Sequence, residues 1–191
     1  MVGCRTVSPV VKIGLVGPFE GRHRPIGYDT IYSARLAVQD VNNAGGIGKY
    51  RVALVALDDS GEPEFASETA RSLVVDPGVV AVVGHWLPET TDVAKDIYRE
   101  ADMPFVMTGE EPFGQYDPRD LPSDFLHSYE EITPFDETAG PFAGTAYDAV
   151  NLVLSAMYGV AKEGGNIDRS TMGKALDDLT YQGLTGEVYQ P

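Results

Sequence analysis

Two pairs of adjacent acids (Asp58-Asp59 and Glu110-Glu111), a pair of adjacent hydroxyls (Thr90-Thr91), three histidines and one cysteine are the side chains whose types and spacing invite chemistry. Acids at a strand end can take a phosphoryl group or a divalent metal, as in receiver domains. That chemistry needs a further acid pair at the end of the first strand, where this chain has Gly17-Pro18-Phe19. His23, His85 and His127 have no ligand-like spacing, so a structural metal is not expected. No nucleophile elbow, Walker loop or dinucleotide fingerprint follows a strand, and Cys4 stands in a leader with no base beside it. With no assembled acid, base and nucleophile, the expectation is binding without catalysis, with no cofactor and no metal.

Which of these residues can act together depends on the elements that carry them. Residues 10–16 are a compact apolar run with β-branched side chains, closed by Gly17-Pro18, the pattern of a buried strand. Ile31, Ala34, Val38 and Val41 recur at helical spacing from about Tyr28, and Gly45-Gly46 supplies the stop. A second strand is expected over 50–57, then a helix opened by Pro63 with Phe65, Thr69, Ala70 and Leu73 on one face. A third strand over 79–83, a helix with Val93, Ile97, Tyr98 and Ala101 inward, and a fourth strand over 104–107 complete the alternation. Residues 114–122 turn to Gly, Pro, Asp and Arg, a linker signature. Beyond them come a short helix over 124–131 and a long helix with Ala146, Ala149, Val150, Val153, Ala156, Met157 and Val160 on its apolar side. A helix N-capped by Asp168 follows, and then an extended stretch over 181–189.

The fold class is therefore α/β: a doubly wound, mostly parallel sheet with helices on both faces. Ligands of such sheets sit beyond the carboxyl ends of the strands, so residues 17–27, 58–61, 84–91 and 108–113 are the loops where function belongs. Both acid pairs and the hydroxyl pair fall in them.

The 191 residues, 43% apolar, suffice for one core. A net charge of −15 repels phosphate backbones and anionic membranes, so no nucleic acid partner is expected. No stretch approaches the roughly 20 consecutive apolar residues of a membrane span. Met1-Val2-Gly3-Cys4 reads either as the tail of a bacterial lipobox, with Cys4 as the lipidation site, or as a start with an incidental thiol.

Several motifs, in order, resemble the type I periplasmic solute-binding proteins, in the branched-chain amino-acid (Leu/Ile/Val) branch. They are Lys12-Ile13-Gly14 with Gly17-Pro18, the helix ending Asp40-Val41-Asn42-Asn43-Ala44-Gly45-Gly46-Ile47, Asp58-Asp59, Val83-Gly84-His85 and Ala146-Tyr147-Asp148-Ala149-Val150. The closing segment with Tyr181, Gly183, Thr185 and Gly186 is similar to that family's late Gly-rich strand. The resemblance implies an exported binding module for an amino acid or related small polar solute, serving an ABC-type importer or a sensor, with an ABC permease as partner in the full-length relatives. It also implies a missing second lobe of roughly a hundred residues, an ordinary domain. Residues 1–9 are then a leader, 10–113 the first part of the lobe, 114–123 a linker replacing the second lobe, and 124–191 the remainder of the first lobe. Half of a hinged clamp covers about half of a solute, so weakened affinity is expected. A second reading is a protein–protein interaction module, self-associating as a homodimer through the face that a second lobe would cover.

In the resembling family the loop after strand three holds the solute's carboxylate, which makes Trp86, Leu87, Thr90 and Thr91 the first candidates for contact. Trp86 would be an apolar wall, and the helix N-terminus would supply N–H groups. Equally, Thr90 or Thr91 could cap that helix. Pro88 stands where amino-acid binders carry a small hydroxyl residue. After strand four stands Thr108-Gly109-Glu110-Glu111, where Thr108 and Glu110 are candidates for contact; the two adjacent acids, Glu110 and Glu111, point to a cationic group or are solvated loop charges. Tyr28, after strand one, would cover the solute or pack its own loop.

Overall fold

The computed structural model describes residues 8–190. Four strands form one parallel sheet: β1 (Val10–Gly17), β2 (Arg51–Asp58), β3 (Val79–Gly84) and β4 (Phe105–Met107), in the order β2-β1-β3-β4. The central pair is apolar on both faces because helices cover both. Ile13, Leu15, Ala81 and Val83 face a cluster built with α1 (Arg24–Asn43) and α5 (Ala143–Lys162). Val16, Val79 and Val82 face Ala70 and Leu73 of α2 (Pro63–Val75) and Ala94 and Tyr98 of α3 (Pro88–Glu100). Each fully buried side chain such as Ile13 or Leu15 contributes about 1.5–3 kcal/mol.

The second half returns to the same sheet. Helix α4 (Ser123–Ile132) places Phe125 and Tyr129 in a third cluster with Leu36 of α1 and Leu121. Helix α6 (Arg169–Asp177) opens on a capping box: Asp168 accepts the backbone N–H of Thr171, and the Thr171 hydroxyl accepts the backbone N–H of Asp168. From its first turn, the Arg169 guanidinium donates to the carbonyls of Val74, Asp76 and Val79, tying α6 to the amino end of β3.

Several sequence expectations need correction. Helix α1 starts at Arg24, not near Tyr28, because Pro25 is tolerated in a first turn and Gly27 lets the helix abut the backbone at Pro18. Tyr50 precedes β2 and pairs with Ile47 in an isolated bridge. Phe65 is 48% exposed, and α2 buries Ala66 in its place. The stretch over 114–122 is not bare linker: Leu121 is 5% exposed, and residues Pro118–Asp120 form a 3-10 turn capped by Asp117. Residues 181–189 are not one extended strand. They fold as an antiparallel hairpin, β5 (Tyr181–Gln182) and β6 (Val188–Tyr189), turned where Gly186 adopts φ 84°. Cys4 and the lipobox reading lie outside the described residues.

Candidate functional site

The carboxyl ends of β1, β2, β3 and β4 share one end of the sheet, and their loops interlock. Asp58, ending β2, accepts the backbone N–H of Phe19 at 2.7 Å and of Glu20 at 3.2 Å, which fixes the loop after β1. It also accepts the Ser60 N–H and hydroxyl at 2.9 and 2.7 Å. Burial alone would raise its pKa, but these four hydrogen bonds outweigh burial and hold the carboxyl below its usual range.

Asp59 points the other way, into the interior. Its Oδ2 lies 2.8 Å from Nδ1 of His85, whose Nε2 is 3.2 Å from the Tyr98 hydroxyl. Asp59, His85 and Tyr98 are all fully buried, so the loops after β2 and β3 are joined to α3 through a buried polar chain. Burial, then the Asp59 charge, push the Tyr98 phenol well above its ordinary range.

The His85 carbonyl organises the upper surface. It accepts the hydroxyl of Thr91 at 2.5 Å and that of Thr108 at 3.4 Å. The Thr108 N–H donates to the Gly84 carbonyl at 3.0 Å. Gly84 has φ 145°, and a β-carbon there would lie 2.3 Å from the Val16 carbonyl oxygen, so only glycine lets β3 pass β1 this closely. Gly109 approaches closely enough that a β-carbon would come 2.2 Å from the Thr91 hydroxyl. The loops after β3 and β4 are therefore in contact, and a cleft of about 280 Å³ opens between them, lined by Pro88, Thr91, Asp92, Lys95, Gly109 and Glu110.

Of the residues singled out in sequence, Trp86, Leu87, Thr90, Thr91, Thr108 and Glu110 gather at the ends of β3 and β4, and Thr91 and Glu110 line the cleft itself. Trp86 is not part of the cleft lining: it is 3% exposed, packs in the core on the α1 and α5 side, edge-on to Phe142 at 6.4 Å, and its Nε1 has no hydrogen-bond partner among the described residues. Neither threonine caps α3. Thr90 donates its hydroxyl to the Leu87 carbonyl at 3.1 Å and Thr91 to that of His85. With Pro88 in the first turn lacking an N–H, the N–H groups of Glu89 and Thr90 are the ones that α3 cannot pair internally. Tyr28 sits apart on α1, 37% exposed, under the Arg24 guanidinium and edge-on to Tyr32.

Sequence reasoning missed the Asp59–His85 pair, because the two residues lie 26 positions apart and meet across β1. It also missed Asp29, which accepts the N–H groups of Gly140 and Phe142 and the Tyr129 hydroxyl. Burial raises the Asp29 pKa despite those bonds. Larger hollows, of about 420 Å³ between α5 and α6 and about 720 Å³ beside Arg169, lie away from the strand ends, so size alone does not locate the site. Among the described residues no group of three or more His, Cys, Asp or Glu could hold a metal ion, and no helix is long and apolar enough to cross a membrane.

A family model described as periplasmic binding protein matches residues 10–120. An amino acid binding protein of Pseudomonas aeruginosa is 36% identical over 99 residues, 52% of this chain and 26% of its own length. The Leu/Ile/Val-binding protein of Escherichia coli is 33% identical over 90 residues, 47% of this chain and 24% of its own. These matches span about a quarter of the length of the curated relatives. Among solved structures, the branched-chain amino acid transporter substrate binding protein of Streptococcus pneumoniae, in complex with isoleucine, aligns with a TM-score of 0.76 at 14% identity, over 93% of this chain and 91% of that one. A leucine binding protein of Thermotoga maritima aligns with a TM-score of 0.72 at 12% identity, over 92% and 90%. At such identities the structural likeness speaks to the fold.

Proposed function

The chain belongs to the periplasmic binding protein family, and from that premise we propose that it is an extracytoplasmic recognition module for an amino acid or a related small polar solute. It binds without chemistry, in the service of an ABC-type importer or a sensor, and its transport partner would be the permease. Curated relatives named for amino acid binding support the solute class. The observation that supports the reading is the contact of the loops after β3 and β4, around a cleft whose lining includes Pro88 and Thr91, in the first turn of α3, and Glu110. A helix N-terminus beside the cleft suits a carboxylate, and Glu110 suits an ammonium. Weak binding belongs to the same proposal, since one lobe leaves much of a solute in water. So does lipid attachment at Cys4, which mass spectrometry of the protein recovered from its native host would reveal.

Calorimetry and thermal shift against the twenty amino acids test the reading. A solute that binds the folded state raises the melting temperature in proportion to RT ln(1 + [L]/Kd), so saturable stabilisation at millimolar solute is expected. Glu110→Gln should weaken it for any amino acid that binds, leucine included. No stabilisation by any amino acid would remove the solute reading.

A further inference from the structure

The sheet ends on β4, and in the order β2-β1-β3-β4 no strand lies beyond it among the described residues. Its register with β3 decides which of its backbone groups are free. The pairs Val82↔Phe105 and Gly84↔Met107, with the bonds Val82 N–H to Pro104 carbonyl and Thr108 N–H to Gly84 carbonyl, turn Pro104, Val106 and Thr108 toward β3. In a parallel ladder the alternate residues point the other way, so the N–H and C=O of Phe105 and of Met107 face outward. Along that open edge runs a hollow of about 180 Å³, walled by Phe105, Met107, Phe113, Leu152 and Tyr189, with Phe113 stacked on Tyr189 at 4.7 Å. Glu110 and Glu111 line its upper end; both are exposed.

We propose that this edge takes an extended, lysine-bearing peptide segment as an added strand. Two outward N–H and two outward C=O groups supply the backbone pairing, the apolar hollow receives one side chain of the peptide's alternating pattern, and the two glutamates select a basic residue beside it. Charge decides among occupants. A second copy of this chain would bring a further net charge of −15 to an already acidic edge, whereas a cationic strand neutralises Glu110 and Glu111. The edge is independent of the solute cleft in its backbone groups, so its test does not depend on that reading.

The experiment is fluorescence anisotropy of the 191-residue protein with a labelled, end-blocked hexapeptide, Lys-Val-Thr-Val-Thr-Lys, at low salt. Saturable binding is expected, with at least a tenfold loss for the same peptide N-methylated at alternate positions, and a similar loss when glutamate replaces its lysines. Met107→Pro removes one outward N–H while leaving the β3 ladder intact, and should cost at least tenfold. If that variant fails to fold, the N-methylated peptide against the unaltered protein carries the same decision. Absence of saturable binding, equal binding of the N-methylated peptide, or equal binding of the glutamate peptide overturns the proposal. So does light scattering that shows a dimer which Glu111→Lys strengthens, since a second copy would then own the edge.

Discussion

Two acids side by side in sequence have opposite jobs. Asp58 faces the loop after β1 and is partly exposed, whereas Asp59 is wholly buried against His85. Removing one member of a buried polar pair leaves the other desolvated and unpaired, which costs more than the pair is worth. His85→Ala is therefore expected to lower stability by about 3–5 kcal/mol in denaturant unfolding, while Tyr98→Phe, which deletes one 3.2 Å hydrogen bond, should cost about 1 kcal/mol. Equal costs would mean that the Asp59–His85 contact contributes nothing of its own. Asp58 has a lowered folded pKa, so its contribution is present above the unfolded value of about 4 and is lost as pH falls through the folded value. Asp58→Ala should thus cost about 1–2 kcal/mol at pH 7, discounted for its partial exposure. In melting curves, the gap from the unaltered protein should close at acid pH, once the carboxyl is protonated in the folded state as well. A gap that stays constant down to that pH would show that Asp58 acts by packing. The sequence displayed the acid pair but not its division of labour, because the partner of Asp59 is set by which strands flank β1.

Strands and helices were legible wherever one period dominated. The apolar runs of β1 and β3 and the long face of α5 need only alternation or a 3.6-residue repeat, and the buried residues of α5 match its expected stripe. Elements whose limits depend on packing were less legible. The start of α1 is set by its close approach to Pro18, and the β5–β6 hairpin by hydrogen bonds to Asp148. That carboxylate accepts the N–H groups of Leu184 and Thr185 and the hydroxyls of Thr185 and Tyr189. The candidate cleft shows the same split: its loops could be named from strand order, but the contact of Gly109 with Thr91 could not. Packing also separates two glycines that look alike in sequence. Gly84→Ala would drive a β-carbon into the Val16 carbonyl at the sheet's centre, and we expect it to be unfolded or insoluble. On α5, a β-carbon at Gly159 would meet nothing within 4 Å, so Gly159→Ala should stabilise the protein by about 0.5–1 kcal/mol through helix propensity. Soluble expression and melting temperature read out both, and a tolerated Gly84→Ala would show that β1 and β3 can separate at their ends.

At the scale of the whole molecule, two electrostatic effects oppose each other. A few basic side chains pair with carboxylates: Lys95 with Asp92 and Arg99 with Asp96 within α3, and Lys12 of β1 with Asp76 at the end of α2. Exposed pairs of this kind are worth about 0–1 kcal/mol each and weaken with salt. Against them stands a net charge of −15 on a 20.6 kDa chain, whose self-repulsion is delocalised and is also screened by salt. Raising sodium chloride from about 20 mM to about 0.5 M shortens the Debye length from about 20 Å to about 4 Å, which removes most long-range repulsion but leaves contact pairs partly intact. The repulsion should be the larger loss, so the melting temperature is expected to rise by about 2–4 °C, equivalent to about 1 kcal/mol for a chain of this size. Sodium sulfate at matched ionic strength should raise it further by exclusion from the surface, so the chloride series isolates screening. A melting temperature that falls as chloride is added would mean that the local pairs, and not the excess of carboxylates, govern the stability of the fold.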